Sequence, residues 1–184
     1  MIHVSAGDYK GMRLEAPRHI RPTEGQVRQA LFNILAGVIP GARVLDGYAG
    51  SGALGIEALS RGAAFAAFVE QDTECILAIR DNLSKLHDLP RSAWRVVQGD
   101  MERALRQLSE LEKPFDVILF DPPYKTDEAI KALQQVVQYA MIAPTGILVI
   151  EHDRRTELPK IAGPIKQLKQ HRYGETVLSF YQAA

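Results

Sequence analysis

The chain has 184 residues, of which 46% are hydrophobic and 24% charged. This length suffices for one sizeable core but not for two comfortable domains, and the composition is that of an ordinary globular protein. The single cysteine, Cys75, excludes an internal disulfide. No apolar run approaches a membrane span, and the N-terminus lacks a signal-peptide pattern. We therefore expect one cytoplasmic domain, 1–184, that has no membrane partner.

The charges are unevenly distributed although they sum to zero, with 22 basic and 22 acidic residues. Residues 1–35 contain five basic and three acidic side chains, and residues 152–184 contain six and three. The middle of the chain is therefore acidic. This pattern favours a cationic ligand bound centrally and a polyanion approached from the two ends, although ordinary solvated faces would explain it equally well.

The first part of the chain predicts a hairpin followed by a helix, which we assign together to residues 1–40. Apolar residues flank a turn-rich segment before Arg18. Arg21-Pro22-Thr23 then opens a helix that Thr23 can cap. The apolar stripe of this helix is predicted to consist of Val27, Leu31, Ile34, Leu35 and Val38.

Strand-like and helix-like segments alternate from Arg43 onward, which predicts parallel crossovers in a catalytic core spanning 41–184. The final two strand-like segments are separated only by Tyr173-Gly174-Glu175 and predict a hairpin. The fold class is therefore α/β, with a Rossmann-like, doubly wound, mostly parallel sheet and a closing antiparallel hairpin. The predicted strands are 43–45, 65–70, 94–98, 115–120, 146–151, 165–172 and 176–181.

The segment 44–55 predicts a strand, a glycine-rich turn and a helix. Gly50-x-Gly52-x-x-Gly55 also matches the dinucleotide fingerprint, so NAD and S-adenosylmethionine both remain candidate cofactors. Asp46 distinguishes between them. Its charge would repel a pyrophosphate at the helix start, whereas S-adenosylmethionine carries an ammonium and a sulfonium.

Acidic residues recur at the predicted carboxyl ends of four strands. They are Asp46, Glu70, Asp100 and Asp121. In an open parallel sheet, ligands bind beyond these ends. Glu70 could accept hydrogen bonds from both ribose hydroxyls, and Asp100 could accept one from an adenine amine.

Asp121-Pro122-Pro123-Tyr124 follows an apolar strand and provides a stiff row of acceptors, because proline has no N–H. An exocyclic base amine is a poor nucleophile because its lone pair is delocalised. If the Asp121 carboxylate and the Pro122 carbonyl accepted its two N–H bonds, the lone pair would point at a methyl group. Tyr124 offers a face on which a flipped base can stack.

Arg21, Thr23 and Arg28 are candidates for contacts with RNA phosphates. The five histidines show no metal-ligand spacing, so we predict no metal site.

The glycine loop and the Asp121–Tyr124 motif together make the chain similar to the bacterial 16S ribosomal RNA guanine-N2 methyltransferases (RsmD-like) over about residues 2–181. More specific runs also match this family. They are Arg21-Pro22-Thr23 with the segment 27–35, the segment 52–62 and Tyr173-Gly174-Glu175-Thr176.

The resemblance implies a class I methyltransferase that transfers a methyl group from S-adenosyl-L-methionine to a guanine N2 amine. The implied partner is 16S ribosomal RNA in the 30S subunit or an assembly intermediate, and a monomer is expected. Gly47-Tyr48 stands where the family more often has a larger apolar residue and Phe, which predicts altered packing. The implied cofactor-binding residues are Asp46, Tyr48, Gly50, Ser51, Gly52, Glu70, Gln71, Asp100 and Met101, and the implied catalytic residues are Asp121, Pro122, Pro123 and Tyr124.

Three alternatives remain open on the sequence. An adenine-N6 methyltransferase would use the same motif, because the motif positions an amine without specifying the ring. An NAD-dependent oxidoreductase would use the glycine loop. An RNA-binding module without catalysis would use the basic ends.

Overall fold

The computed structural model describes residues 2–20, 25–124 and 127–183. Within these residues no helix has the length and apolarity that crossing a membrane requires. The strands are β1 (Ile2–His3), β2 (Arg13–Leu14), β3 (Arg43–Gly47), β4 (Phe65–Glu70), β5 (Trp94–Gln98), β6 (Phe115–Phe120), β7 (Ile142–Asp153), β8 (Ile161–Ala162), β9 (Ile165–Tyr173) and β10 (Thr176–Ala183). The helices are α1 (Gly25–Ile34), α2 (Ala53–Ser60), α3 (Thr73–Ser84), α4 (Met101–Leu111) and α5 (Glu128–Gln138).

Eight strands form one sheet in the order β5-β4-β3-β6-β7-β10-β9-β8. The ladders from β5 to β7 are parallel, and β10 pairs antiparallel with both β7 and β9. The strand order reverses at β3, between β4 and β6. Such a switch point is where open α/β sheets bind their ligands, beyond the carboxyl ends of the strands.

Helices cover the sheet because its central strands are apolar on both faces. Leu45 and Ile118 belong to the cluster that packs against α4 and α5, whereas Val44 and Leu119 pack on the opposite side with residues of α1 and α2. This burial confirms the predicted doubly wound α/β fold with a closing antiparallel hairpin.

Most predicted elements lie where the sequence indicated, and the differences occur at their ends. β4, β5 and β6 have the predicted bounds, whereas β7 is longer at both ends, where Ile142 pairs with β6 and His152 and Asp153 pair with β10. In α1, Phe32 is fully buried, but Val38 lies beyond the end of the helix and is 41% exposed. The predicted capping residue Thr23 lies outside the described residues. The division of the domain at residue 40 stays a prediction.

The N-terminal hairpin is fixed to α2 by a buried glutamate, Glu57, which is 0% exposed. Its carboxylate accepts hydrogen bonds from the backbone N–H groups of Ser5 and Ala6, at 2.8 and 3.2 Å, and from the Ser5 hydroxyl at 2.6 Å. Arg61, one turn later, donates to the same carboxylate at 2.8 Å. A buried charge is tolerated when it is paired and hydrogen-bonded in this way.

The hairpin also lies against the end of α2 at Ser60. The Ser60 hydroxyl donates to the Ala6 carbonyl at 2.7 Å, and the Ser60 carbonyl accepts the Asp8 N–H at 2.8 Å. Gly7 makes this approach possible. A Cβ on Gly7 would lie 1.7 Å from the Ser60 carbonyl oxygen, so a side chain at this position must displace the hairpin from α2.

We expect Gly7→Ala to weaken the docking of the hairpin, and Gly11→Ala provides a matched control. Both glycines have left-handed backbones, with φ of 85° and 87°, but a Cβ on Gly11 meets nothing within 4 Å. Gly11→Ala should therefore cost only the backbone term of about 1 kcal/mol, and Gly7→Ala about 1–3 kcal/mol more because of the clash. Urea denaturation of both variants measures the difference. Equal losses would contradict this account of the docking.

Candidate active site

A cavity of about 860 Å³ lies at the carboxyl ends of the sheet, above the switch point. Its volume is typical of sites for small molecules and cofactors. The four predicted acids from successive strand ends meet in it, together with the Asp121–Tyr124 motif. The lining residues predicted from the sequence are Asp46, Tyr48, Gly50, Ser51, Glu70, Gln71, Asp100, Met101, Asp121, Pro122, Pro123 and Tyr124.

The glycine loop turns sharply between β3 and α2 because every second residue from 48 to 52 has a left-handed backbone conformation. They are Tyr48, Gly50 and Gly52, with φ of 61°, 54° and 77°. Gly52 is the residue that precedes α2, and it is not among the residues that line the cavity. A Cβ there would lie 3.3 Å from Phe68 and Ile79, so Gly52 packs closely against both, and its contact with a cofactor stays a prediction.

Asp46 is 1% exposed at the end of β3, and its carboxylate accepts the Gly55 N–H at 2.7 Å. It therefore closes the loop onto the start of α2. Burial raises the pKa of this carboxyl well above its usual range, and the nearby Asp121 and Glu70 raise it further, while the Gly55 hydrogen bond opposes them. A cation in the cavity would stabilise the ionised form.

Glu70 ends β4 and holds the adjacent backbone. Its Oε2 accepts the Gly50 N–H at 2.9 Å, and its Oε1 accepts those of Gln71 and Asp72 at 2.8 and 2.9 Å. A carboxylate offers about four acceptor positions, so these bonds leave one for a ribose hydroxyl. A second ribose hydroxyl would have to replace one of the loop bonds.

Asp100 and Met101 lie where β5 leads into α4. The Asp100 carboxylate caps this helix by accepting the Arg103 N–H at 3.0 Å, which turns the side chain toward the rim of the cavity. Met101 is 7% exposed and lines the inner wall, where an apolar side chain can lie against a flat ring.

Gly47 and Tyr48, where altered packing is expected, both pack against Phe120. The Phe120 ring fills the space beside Gly47, where a Cβ would lie 2.4 Å from it. Tyr48 meets Phe120 edge-to-face at 5.9 Å between ring centroids, and its hydroxyl donates to Glu128 at 3.2 Å. Burial and the Glu128 charge both raise the Tyr48 pKa. Tyr48 thus keeps its strained backbone through packing and a hydrogen bond.

The Asp121–Tyr124 motif forms the wall of the cavity that follows β6. Pro122 is buried, whereas Pro123 and Tyr124 are exposed. The Tyr124 hydroxyl donates to Glu151 at 2.7 Å and lies 2.9 Å from the Thr176 hydroxyl. Burial raises the Tyr124 pKa, so the side chain stays protonated.

The lining carries six carboxyl groups, and among the described lining residues only His19 has a basic side chain. The cavity therefore attracts cations and repels anions. The six acids are Asp46, Glu70, Asp100, Asp121, Glu128 and Glu151.

The predicted RNA contacts are not supported equally. Arg28 is only 6% exposed, and its guanidinium donates to the His3 carbonyl at 2.7 Å. Burial lowers its pKa. This side chain therefore joins α1 to β1, and the expectation that Arg28 contacts a phosphate stays a prediction. Arg21 and Thr23 lie outside the described residues.

Several polar residues that the sequence did not reveal support the site. Asn82 of α3 is 0% exposed and donates to the Ser51 carbonyl at 3.0 Å and to the Glu15 carbonyl at 2.8 Å, joining the glycine loop to the N-terminal segment. A polar residue on a helix usually indicates a solvated face, so this role was not predictable from the sequence. Glu151, in contrast, also follows an apolar run at a strand end, the pattern that indicated the other four acids.

His19, Asp72 and Cys75 bring ligand-type atoms within 4.8 Å of one another, although His19 is distant from the other two in sequence. Sequence spacing could not indicate this contact. Burial raises the pKa of Cys75 to about 12, so its thiol is protonated, and Asp72 caps α3 by accepting the Cys75 N–H at 2.9 Å. We assign this contact to the start of α3, and the absence of a metal site stays a prediction.

The sheet order, the glycine loop and the acidic cavity define a class I methyltransferase. A family model described as "Conserved hypothetical protein 95" matches residues 2–182. The chain is 39% identical to "Putative rRNA methyltransferase YlbH" of Bacillus subtilis over 98% of both proteins, and 31% identical to "Ribosomal RNA small subunit methyltransferase D" of Escherichia coli over 98% of this chain and 89% of that protein.

A solved structure, "Putative methyltransferase yhhF from Escherichia coli", matches with a TM-score of 0.87 and 31% identity over 99% of this chain and 97% of that one. The chain belongs to the family of ribosomal RNA small subunit methyltransferase D.

Asp46→Asn tests whether the buried carboxyl has a raised pKa. A raised pKa means that the folded protein binds the proton more tightly than the unfolded chain. The resulting stabilisation is present at low pH and is lost as pH rises through the folded-state value. Asparagine keeps an oxygen for the Gly55 N–H and does not titrate.

The variant should therefore gain stability relative to the wild type as pH rises from about 4 to about 8. Urea denaturation without cofactor, performed across this range, measures the difference. A difference that does not change with pH would contradict the raised pKa.

Proposed function

We propose that the protein transfers a methyl group from S-adenosylmethionine to the exocyclic N2 amine of a guanine in 16S ribosomal RNA. One observation carries this proposal. Asp46 of the glycine loop and the Asp121–Tyr124 motif line the same acidic cavity, so one site can bind a cationic methyl donor next to a base amine.

The residues fit the cofactor in charge and in size. S-adenosylmethionine brings a sulfonium and an ammonium, and it supplies an electrophilic methyl group when bound. Asp46 and the turn at Gly50 and Ser51 would hold the methionine part, Glu70 and Gln71 the ribose, and Asp100 and Met101 the adenine. Tyr48 would close the inner wall.

The amine of the target base would lie at the proline motif. The Asp121 carboxylate and the Pro122 carbonyl would accept its two N–H bonds, turning the nitrogen lone pair toward the methyl carbon. On receiving the methyl group the nitrogen would lose one proton, which the Asp121 carboxylate could accept. Pro123 keeps the turn rigid, and Tyr124 stacks on the base.

The family supports the choice of guanine N2 in the small subunit. The substrate would be 16S RNA in the 30S subunit or an assembly intermediate, and the protein would act as a monomer in the cytoplasm. The adenine-N6 alternative uses the same cradle and differs only in the ring that Tyr124 stacks upon.

The acidic lining argues against the oxidoreductase alternative. A dinucleotide would bring two phosphates to the start of α2, where Asp46 lies buried and its Asp121 and Glu70 neighbours add negative charge. Like charges at this range are repulsive, more so away from bulk water.

Asp121→Ala should lower methyl transfer by at least roughly 100-fold, because the amine loses the charged acceptor that orients it. Transfer from labelled S-adenosylmethionine to small subunits that lack the modification measures the rate. Asp81→Ala is the matched control, since Asp81 is exposed on α3 and its side chain pairs with Lys85, away from the cavity lining. The affinity of Asp121→Ala for the RNA of these small subunits should be largely unchanged.

The same assay distinguishes the alternatives. Digestion of the labelled RNA and mass analysis of the nucleosides identify either N2-methylguanosine or N6-methyladenosine. Calorimetry that detects NAD binding and none of S-adenosylmethionine would reject the proposal. If the wild type bound ribosomal particles but methylated none of them, the RNA-binding module would be the better explanation.

A further inference from the structure

We infer that Glu151 and Thr176 are positioning residues for the target base, because together they fix Tyr124 through its hydroxyl. This inference rests on the proposed function and extends it to two residues outside the proline motif. Glu151 lies in β7 and Thr176 begins β10, so three separate parts of the chain meet at one phenol oxygen.

The geometry gives this contact a defined direction. The Tyr124 hydroxyl donates to Glu151 Oε1 at 2.7 Å. A hydroxyl carries a single proton, so in the 2.9 Å contact with Thr176 the tyrosine oxygen is the acceptor and the threonine hydroxyl the donor. In this series of hydrogen bonds Thr176 donates to Tyr124 and Tyr124 donates to Glu151, so each hydroxyl proton is used once. Only one rotamer of each hydroxyl satisfies it.

The Glu151 carboxylate, which is the final acceptor in this series of hydrogen bonds, lies on a rigid part of the fold. Glu151 is 8% exposed, and it lies in a strand paired on both sides, opposite Leu178 of β10. Tyr124, in contrast, is 37% exposed and lies in the loop after β6, two residues after the buried Pro122. Without its anchor, an exposed tyrosine at a loop can rotate freely. The hydrogen bond to Glu151 in the sheet therefore restricts the orientation of the Tyr124 ring in the loop.

Ring orientation matters because Tyr124 provides the stacking surface for the base. Stacking fixes the plane of the base, and that plane determines where the amine lies relative to the Asp121 and Pro122 acceptors. A displacement of about 1 Å at a reacting atom can cost roughly 100-fold in rate. Loss of the anchor should therefore reduce kcat more than it raises KM.

The test compares four variants with the wild type in steady-state methylation of small subunits. Tyr124→Phe keeps the ring and removes the anchor, and Thr176→Val removes the donor without changing shape. Both should lower kcat by about tenfold to 100-fold with little change in KM. Glu151→Ala should match them, whereas Glu151→Gln should retain more activity because its amide oxygen still accepts the phenol proton.

The double variant Tyr124→Phe/Thr176→Val separates positioning from a general structural effect. If Thr176 acts only through the phenol oxygen, removing it in the phenylalanine background should change kcat by less than about twofold, since coupled contacts are non-additive. Thr145→Val is the matched control, because Thr145 is exposed at the other end of β7. It should behave as the wild type. Independent, multiplying losses in the double variant would overturn the inference.

A second readout needs no substrate and keeps this inference distinct from the proposed function. In protein labelled with ¹³C at tyrosine Cζ, Tyr124→Phe assigns the Tyr124 signal. Thr176→Val and Glu151→Gln should each shift this signal, and Thr145→Val should not. An inactive wild type whose signal responds as expected would reject the proposed function alone. An active wild type with full activity in Thr176→Val and an unshifted signal would reject the positioning role.

Discussion

Burial of the Asp46 carboxyl group beside other acids at the edge of the sheet is the constraint on which the rest of the site depends. Asp46 is fully buried, with Asp121 and Glu70 close enough to raise its pKa further. Folding tolerates this arrangement because backbone N–H groups of the loop compensate part of it, at Gly55 for Asp46 and at Gly50 for Glu70. A cationic ligand would compensate the rest of the unfavourable energy of these carboxylates. The preference of the site for cations therefore follows from the way the fold brings the acids together.

The fold was predictable from the sequence because its parallel strands are short, mostly apolar runs that contain or lead into a glycine or an acid at their carboxyl ends. The bounds of β4, β5 and β6 agree with the prediction for that reason. The same pattern predicted that four acids lie together at the carboxyl edge of the sheet, and they line one cavity there. They are Asp46, Glu70, Asp100 and Asp121. Parallel strands bring their carboxyl ends together, so recurrence along the sequence becomes proximity in space.

Buried polar groups were not predictable, because a polar residue in a helix resembles a solvated one until its partners are known. Glu57 and Asn82 each join segments more than 50 residues apart in the chain. The burial of Arg28 was not predictable for the same reason, since its partner is a carbonyl of β1. Glu151 could have been found, because it follows the fifth apolar strand just as the other acids follow theirs.

The carboxylates have a structural function as well as a binding function, because the same groups that hold the loops also line the cavity. Glu70 holds Gly50 in the turn while presenting an oxygen to the cavity, and Glu151 holds Tyr124 while lining the same space. A site built this way has its acceptors in position before any ligand arrives. Methyl transfer to a weak nucleophile needs such preorganisation, because alignment of the amine, rather than acid or base strength, limits the reaction.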